Sequence, residues 1–264
     1  MLADSHAHLD MPEFDGDRDS VIGRASDAGV SVIVNPGFNK SSSRRALGLA
    51  QRYPSVYCAA GVHPHDAREF TEGDADWYRS ILSEARVVAV GEVGLDYYRD
   101  LSPRPVQREV FRAFIRLARE LGKPLIVHDR DAHDDVVAIL KEEKAEEVGG
   151  VMHCFSGDWA SATECLKMGF MISFAGPITY RGSARLSEVA KMVPRDMLLV
   201  ETDCPYLAPQ PFRGRRNEPA YLTHIAGHLA RTRCLPVDTL EDLTFSNTCR
   251  LFGIRSPGAP LGAE

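Results

Sequence analysis

A TIM barrel, (β/α)8, with one additional C-terminal helix is the fold class this sequence predicts, and three observations predict it. Short apolar runs alternate with amphipathic segments eight times along a chain of 264 residues. The runs are apolar throughout rather than at every second residue, as in parallel strands covered on both faces. Residues able to do acid–base or ligand chemistry stand at the ends of the runs, where the strands of a barrel share one mouth. A doubly wound open sheet fits the same alternation, but no GxGxxG follows the first run.

The elements follow in order. Leu2–His6 reads as the first strand, and Ser20–Ala28 as a helix ended by Gly29, a typical residue beyond a helix C-cap. Ser31–Val34 is β-branched, and Ser41–Arg52 is helical up to Pro54. Val56–Gly61 and Val87–Gly91 read as strands, with the helix Asp74–Ser83 between them. Arg104–Leu121 is the clearest helix, with Val110, Phe114, Leu117 and Leu121 on one stripe, Pro105 in its first turn and Gly122 after it. The pairs Leu125–Val127 with Asp131–Lys144, Val151–Cys154 with Trp159–Met168, and Phe170–Phe174 with Ser183–Met192 continue the series. Met197–Glu201, Pro219–Arg231 and a final helix Val237–Leu251 complete it. One barrel domain over residues 1–255 is expected, followed by a Pro/Gly/Ala-rich tail over 256–264 that frays.

Composition narrows the class. Hydrophobic residues make up 44% and charged residues 26%, ordinary for a globular chain that buries a large core without staples. The longest apolar run is too short to span a bilayer, and no basic-then-apolar leader opens the chain, so no membrane partner is expected. The six cysteines form no CxxC pair and suggest no disulfide framework, which places the chain in the cytoplasm. The net charge, 31 minus 37 or −6, argues against a protein that wraps a duplex by neutralising phosphates. It leaves room for one that grips a strand end through metal ions and a few arginines. No obligate protein partner is evident.

The chemistry collects at strand ends. His6 and His8, one residue apart at the end of the first run, share a face if the strand continues through them. His63 and His65 end the third run, and Glu92 the fourth. His128-Asp129 ends the fifth, His153 the sixth, and Glu201-Thr202-Asp203 the eighth. Any one alone reads as a capping carboxylate or a satisfied histidine; together they are the imidazoles and carboxylates preferred by zinc, manganese or iron. His6, His8, Glu92, His128, His153 and Asp203 are too many ligands for one tetrahedral ion. Two divalent ions account for them, bridged by Glu92, because a carboxylate has two oxygens to offer. The expected division is His6, His8, Glu92 and Asp203 on one ion, with Glu92, His128 and His153 on a second, more open one.

The motifs DSHAHLD (4–10), GVHP (61–64), GEVGLDYY (91–98), QREVFRAFIRLARELGKPLIVH (107–128), MHCFSG (152–157), ETDCPYLAP (201–209), RGRRNEP (213–219) and NTCRLFG (247–253) run from end to end. In this order they resemble the TatD family of metal-dependent deoxyribonucleases, barrel members of the wider amidohydrolase-like group. That family's ligands fall on the same six residues. Its members vary at Ala7, often Cys, and at Asp129, often Ser; Ala7 should face away from the ions. The resemblance implies hydrolysis of phosphodiester bonds by a 3′–5′ exonuclease acting on DNA, mainly single strands or 3′ ends, through two divalent metal ions. Magnesium joins zinc and manganese as a candidate because the family is often described with it.

On this reading Asp203 and Glu92 are catalytic as well as ligating, with Asp203 the candidate to accept the water proton and bulk water the alternative base if Asp203 only ligates. His63 donates a hydrogen bond to the phosphate or the leaving oxygen. Glu201 orients a ligand histidine or pairs with an arginine. Arg213, in the basic cluster with Arg215 and Arg216, and Asn217 are expected to meet phosphate, and Tyr97 to stack a base. Asn217-Glu218-Pro219 also reads as a helix start, and Tyr97 or Tyr98 as rim packing. Asn247 and Arg250 read as structural. The same site could hydrolyse an ester, releasing D-amino acids from aminoacyl-tRNA, or act on RNA. A small-molecule amide or lactone hydrolase is a further alternative, lowered by Glu92 standing where such barrels carry a modified lysine. A catalytically silent binding protein is the last.

Overall fold

The computed structural model describes residues 1–255; the tail expected to fray, 256–264, lies outside the described residues. Eight strands run in the order of the sequence, each parallel to the next: β1 (Leu2–Asp4), β2 (Val30–Pro36), β3 (Val56–Ala60), β4 (Val87–Asp96), β5 (Leu125–Arg130), β6 (Gly150–Met152), β7 (Phe170–Phe174) and β8 (Leu198–Val200). Helices follow them in turn: α1 (Arg18–Asp27), α2 (Lys40–Arg52), α3 (Ala75–Leu82), α4 (Arg104–Leu121), α5 (His133–Glu142), α6 (Trp159–Lys167), α7 (Ala184–Met192) and α8 (Leu222–Thr232). A last helix, α9 (Val237–Phe252), ends the described chain. This is the predicted (β/α)8 barrel with its extra helix.

Side-chain alternation along the strands sorts the core into two. The outer set, including Leu2, Ile33, Val90, Leu125 and Phe174, packs under helix residues such as Phe111, Phe114 and Leu140. The inner set takes residues from every strand: Ala3, Val32, Val34, Ala59, Ala89, Ile126, Val151, Met171 and Leu199. Phe245, Cys249, Phe252 and Ile254 join this inner set, so α9 closes the barrel at the end away from the strand C-termini. Burying a phenylalanine there contributes about 1.5–3 kcal/mol. Asn247 and Arg250 are structural, as expected. Asn247 donates its amide hydrogens to the Arg195 and Leu198 carbonyls at 2.8 and 3.0 Å, and Arg250 reaches the Asp196 carbonyl.

The seam between β1 and β8 is sewn by few bonds. Ser5 N–H donates to the Val200 carbonyl at 3.2 Å, and Asp203 N–H to the His6 carbonyl at 2.9 Å. The buried carboxyl of Asp4 crosses the same seam and accepts from Thr202 N–H at 2.9 Å and from its hydroxyl at 2.5 Å. Burial outweighs these bonds and pushes the Asp4 pKa up to about 7.

Several ends differ from expectation. β1 stops at Asp4, so His6 and His8 lie beyond it, and β8 stops at Val200, before Glu201 and Asp203. β4 runs five residues past Gly91, and β5 three past Val127. The helix expected from Pro219 begins as a 3-10 turn, Pro219–Tyr221. None of the described helices is long and apolar enough to cross a membrane.

Candidate metal centre

Strand alternation by itself would keep Glu92 out of the barrel. Ala89 belongs to the inner core, and Val90, Val93 and Leu95 to the outer one. Two outward valines three residues apart require a break in the alternation. The pairing of β4 with β5 supplies it, slipping between Val90 and Val93. Beyond the slip, Glu92, Gly94 and Asp96 face inward together. Gly94 has φ +143, and a Cβ there would lie 2.0 Å from the His128 carbonyl oxygen. Only glycine lets β4 and β5 approach this closely between the two carboxylates.

The first histidine pair reaches the same point from a different backbone. Past β1 the chain alternates partners: Ala7 N–H donates to Val34 on one side, and His8 N–H to Cys204 on the other. Ala7 is buried in the outer core, facing away from the cluster as expected, while the His6 and His8 Nε2 atoms lie 3.2 Å apart. Asp203 is held in a left-handed conformation, φ 55, and brings Oδ1 to 3.8 Å from His6 Nε2 and 3.6 Å from His8 Nε2.

Glu92 lies between two groups and offers each one oxygen. Its Oε2 is 3.3 Å from His6 Nε2 and 3.6 Å from His8 Nε2. Its Oε1 is 2.9 Å from His128 Nδ1, 2.9 Å from His153 Nε2 and 3.4 Å from His63 Nε2. All six expected ligand residues therefore converge, divided by the two oxygens of one carboxylate. Donor atoms of His6, His8 and Asp203, and of His63, Glu92 and His128, each lie within 4.8 Å of one another.

Carboxylates stand behind two of the rings and bear on which nitrogens carry lone pairs. Asp96 is buried, which would raise its pKa, but bonds from His128, His65 and the Arg99 N–H hold it far below the usual carboxylate range. It is therefore an acceptor, and His128 Nε2, 3.3 Å from its Oδ2, carries the proton. His65 Nε2 meets the same oxygen at 2.9 Å. His153 Nδ1 faces Glu201 Oε1 at 3.4 Å, an ionic contact rather than an aligned hydrogen bond. In the neutral His128 ring the lone pair is thus left on Nδ1, which meets Glu92 Oε1, and the charge of Glu201 favours the matching tautomer of His153. An imidazole lone pair and a carboxylate oxygen at 2.9 Å repel unless a cation sits between them, a proton or a metal. The donor set fits divalent ions on this ground.

His63 is different. Its Nδ1 accepts the His65 N–H at 3.1 Å, so the neutral ring carries its proton on Nε2, the atom aimed at the cluster. Burial, with His128 and His65 nearby, holds its pKa down to about 4 in spite of Glu92. His63 is a neutral hydrogen-bond donor at the ring nitrogen where His128 and His153 offer a lone pair. Glu92 itself, although burial pushes it up, is held well below its ordinary value by His153, His63 and His6. His8 is raised to about 9: burial opposes, but Asp203 and Glu92 prevail.

The expected substrate contacts fare unevenly. Asn217 is buried, with both amide hydrogens donated, to the Thr202 carbonyl at 2.8 Å and the Tyr206 carbonyl at 2.7 Å. It shapes the loop after Asp203 and has no donor left for phosphate, which corrects the expectation. Tyr97 turns outward to Asp135, its hydroxyl bonded at 2.5 Å and its ring under Arg104. The exposed ring at that position is Tyr98, 61% accessible. Arg216 is tied to Asp17 at 2.7 and 2.8 Å. Arg213 is exposed at the rim, its guanidinium over Tyr180 at 4.5 Å.

Sequence reasoning missed two residues. Asp96 ends the GEVGLD run, but its partner His128 is remote in sequence. Tyr206, half-exposed, has its ring 6.3 Å from that of His8, at the open side of the first group; an aromatic three residues after Asp203 is the signal that could have found it.

The sequence model of a family described as "TatD related DNase" matches residues 3–253. A Bacillus subtilis protein named uncharacterized metal-dependent hydrolase YabD is 47% identical over 254 residues, covering 96% of this chain and all of the relative. A Klebsiella pneumoniae protein named 3′-5′ ssDNA/RNA exonuclease TatD is 38% identical over 258 residues, covering 96% and 98%. The crystal structure of YJJV, a TatD homolog from Escherichia coli, superposes with a TM-score of 0.91 at 32% identity, covering 96% of this chain and 98% of the other.

Proposed function

The chain belongs to the TatD-related DNases, metal-dependent hydrolases, and on that premise we propose that it is a 3′–5′ exonuclease that shortens single-stranded DNA, and RNA secondarily, in the cytoplasm. The observation that carries this reading is the division of Glu92, one oxygen toward His6 and His8 and the other toward His128 and His153. A carboxylate that bridges two ligand sets would take up that arrangement. His6, His8, Glu92 and Asp203 would hold one ion, and Glu92, His128 and His153 the other. Imidazoles in this number favour zinc or manganese over magnesium. The bound pair supplies an acidified water and a positive anchor for phosphate oxygen.

The chain's own groups do the rest. Asp203, beside His8 and strained into place, takes the proton from the attacking water. His63 Nε2–H is aimed at the space over Glu92 Oε1 and donates to a phosphate or leaving oxygen. Arg213 at the rim meets a phosphate further along the strand. Tyr206, exposed beside His8, offers its ring to the terminal base. The cytoplasmic placement is supported by the thiols of Cys58, Cys154, Cys165, Cys204 and Cys234.

The test is an incubation of the purified protein with zinc, manganese or magnesium against a 5′-end-labelled single-stranded oligonucleotide. A ladder shortening from the 3′ end is expected, lost in EDTA and in Glu92→Ala with its circular dichroism retained. No shortening with any of the metals, or undiminished shortening by Glu92→Ala, would sink the reading.

A further inference from the structure

Beside the metal centre lies a cavity that none of the residues discussed so far explains. It has a volume of about 300 Å³ and is lined by Ser156, Gly157, Pro177, Tyr180, Arg181 and Arg185, with Ser183 and Leu186 behind. Its position follows from the chain. Ser156 and Gly157 come just after the ligand His153, in the loop from β6 to α6, and Tyr180–Arg185 fill the loop from β7 into α7. Tyr180 donates its hydroxyl to the Ala208 carbonyl at 3.0 Å, which ties it to the loop carrying Asp203. The cavity therefore opens at the same mouth as the metal centre, on its His153 side.

We propose that this cavity is a subsite for the nucleotide adjoining the one at the metal centre, its base stacked on Tyr180 and its phosphate held by Arg181 and Arg185. The inference rests on the exonuclease reading and names how that site takes its strand. Three features support it. The Tyr180 ring is held at its hydroxyl by that bond and over its face by the Arg213 guanidinium, 4.5 Å from its centre, which restrains it as a platform. Pro177 and Gly157 line the cavity, and a Cβ at Gly157 would meet the Phe155 ring at 2.7 Å, so this stretch of wall is kept free of a side chain. Arg181, Arg185 and Arg213 gather here on a chain whose net charge is −6, so the patch departs from the rest of the surface in the sense a phosphate requires. Arg181 makes no hydrogen bond or ion pair among the described residues. Arg185 has only an exposed contact to Asp158 at 3.4 Å, which a phosphate can displace. A base reaches this platform only when it is unstacked from its neighbour, so the subsite favours single strands over duplex.

The experiment compares kcat/KM for the methyl ester of a nucleoside 5′-monophosphate, which fills the metal centre alone, and for a 5′-phosphorylated dinucleotide ending in the same nucleotide, with the metal-loaded wild type, Arg181→Ala/Arg185→Ala and Tyr180→Leu. For the wild type the dinucleotide should be preferred about tenfold or more, the range of one stacked base. Either variant should reduce the preference to near unity, mainly through KM. 2-Aminopurine placed next to the terminal nucleotide should be quenched on binding the wild type and not Tyr180→Leu. A wild type with no length preference, or variants that keep it, would overturn the subsite and leave the exonuclease reading standing. Failure of the wild type to cut any oligonucleotide, with every metal, would instead remove that reading and this inference with it.

Discussion

His128 is held between two carboxylates by opposite nitrogens: Asp96 Oδ2 lies 3.3 Å from its Nε2, and Glu92 Oε1 lies 2.9 Å from its Nδ1. The ring turns its lone pair inward only because an acceptor stands behind it. Asp96→Asn tests this. The substituted amide would present a donor to Nε2, drive the proton to Nδ1 and remove a lone pair from the second ion. Metal affinity at that ion should fall about 10–100-fold. Metal content after dialysis should drop from two ions to one per chain, with the fold unchanged. Two retained ions would rule out the orienting role.

His63 and His128 stand side by side, Nε2 to Nδ1 at 3.3 Å, and differ in what they offer. Since His63 Nδ1 already accepts a backbone hydrogen bond, its Nε2 is a donor. His63→Ala should therefore leave metal stoichiometry intact while lowering kcat by about 10²–10³, the cost of one transition-state donor. If metal is lost in parallel with activity, His63 is a ligand.

The raised pKa of His8, about 9, makes metal binding depend on pH. A ligating imidazole must be neutral, so below pH 9 a proton competes with the ion for His8. Metal binding at pH 7.5 should release a proton from His8, and affinity should fall by about tenfold for each unit of pH lowered while His8 is protonated in the metal-free protein. Calorimetry in buffers of different ionisation enthalpy reads the release. In the metal-free protein the sign is the reverse: the paired His8 cation stabilises the fold fully below the ordinary value near 6.5, and that contribution is lost as pH rises through 9. Binding that releases no protons near pH 7.5 would remove this account.

Gly94→Ala introduces a methyl 2.0 Å from the His128 carbonyl oxygen, at a φ that side chains rarely adopt. β4 and β5 must move apart between Glu92 and His128. A loss of roughly 2–4 kcal/mol in denaturant unfolding is expected, together with loss of the second ion. A variant as stable as wild type, with both ions, would show that the strands tolerate the separation.

The alternation of apolar runs with helices is a local property, and the order of elements was legible from it. Where strands end was not. His6 and Asp203 reach the cluster from extended or left-handed backbone beyond β1 and β8, held by hydrogen bonds across the seam that no local pattern specifies. The residues proposed as ligands could be named because imidazole and carboxylate chemistry is visible in a list of residues. The inward turn of Glu92 could not, since it depends on a slip in register between Val90 and Val93. Asp96 stayed hidden for a related reason: its function lies in a neighbour on another strand. Asn217 misled because an amide among arginines suggests phosphate, whereas two backbone carbonyls claim both of its hydrogens.

The plug formed by α9 sets the order in which this molecule can become active. The barrel interior includes Ala3 from the first strand and Phe252 from the last helix, and the first ion needs His6 and His8 together with Asp203. Both contacts join residues far apart in the sequence, the slowest kind to form. A chain extended only through β6 holds Glu92, His128 and His153 but has neither the closed seam nor the plugged floor. The proposed centre is therefore complete only once the segment beyond β8 has folded back onto β1, so its chemistry comes with the finished barrel and not with any part of it.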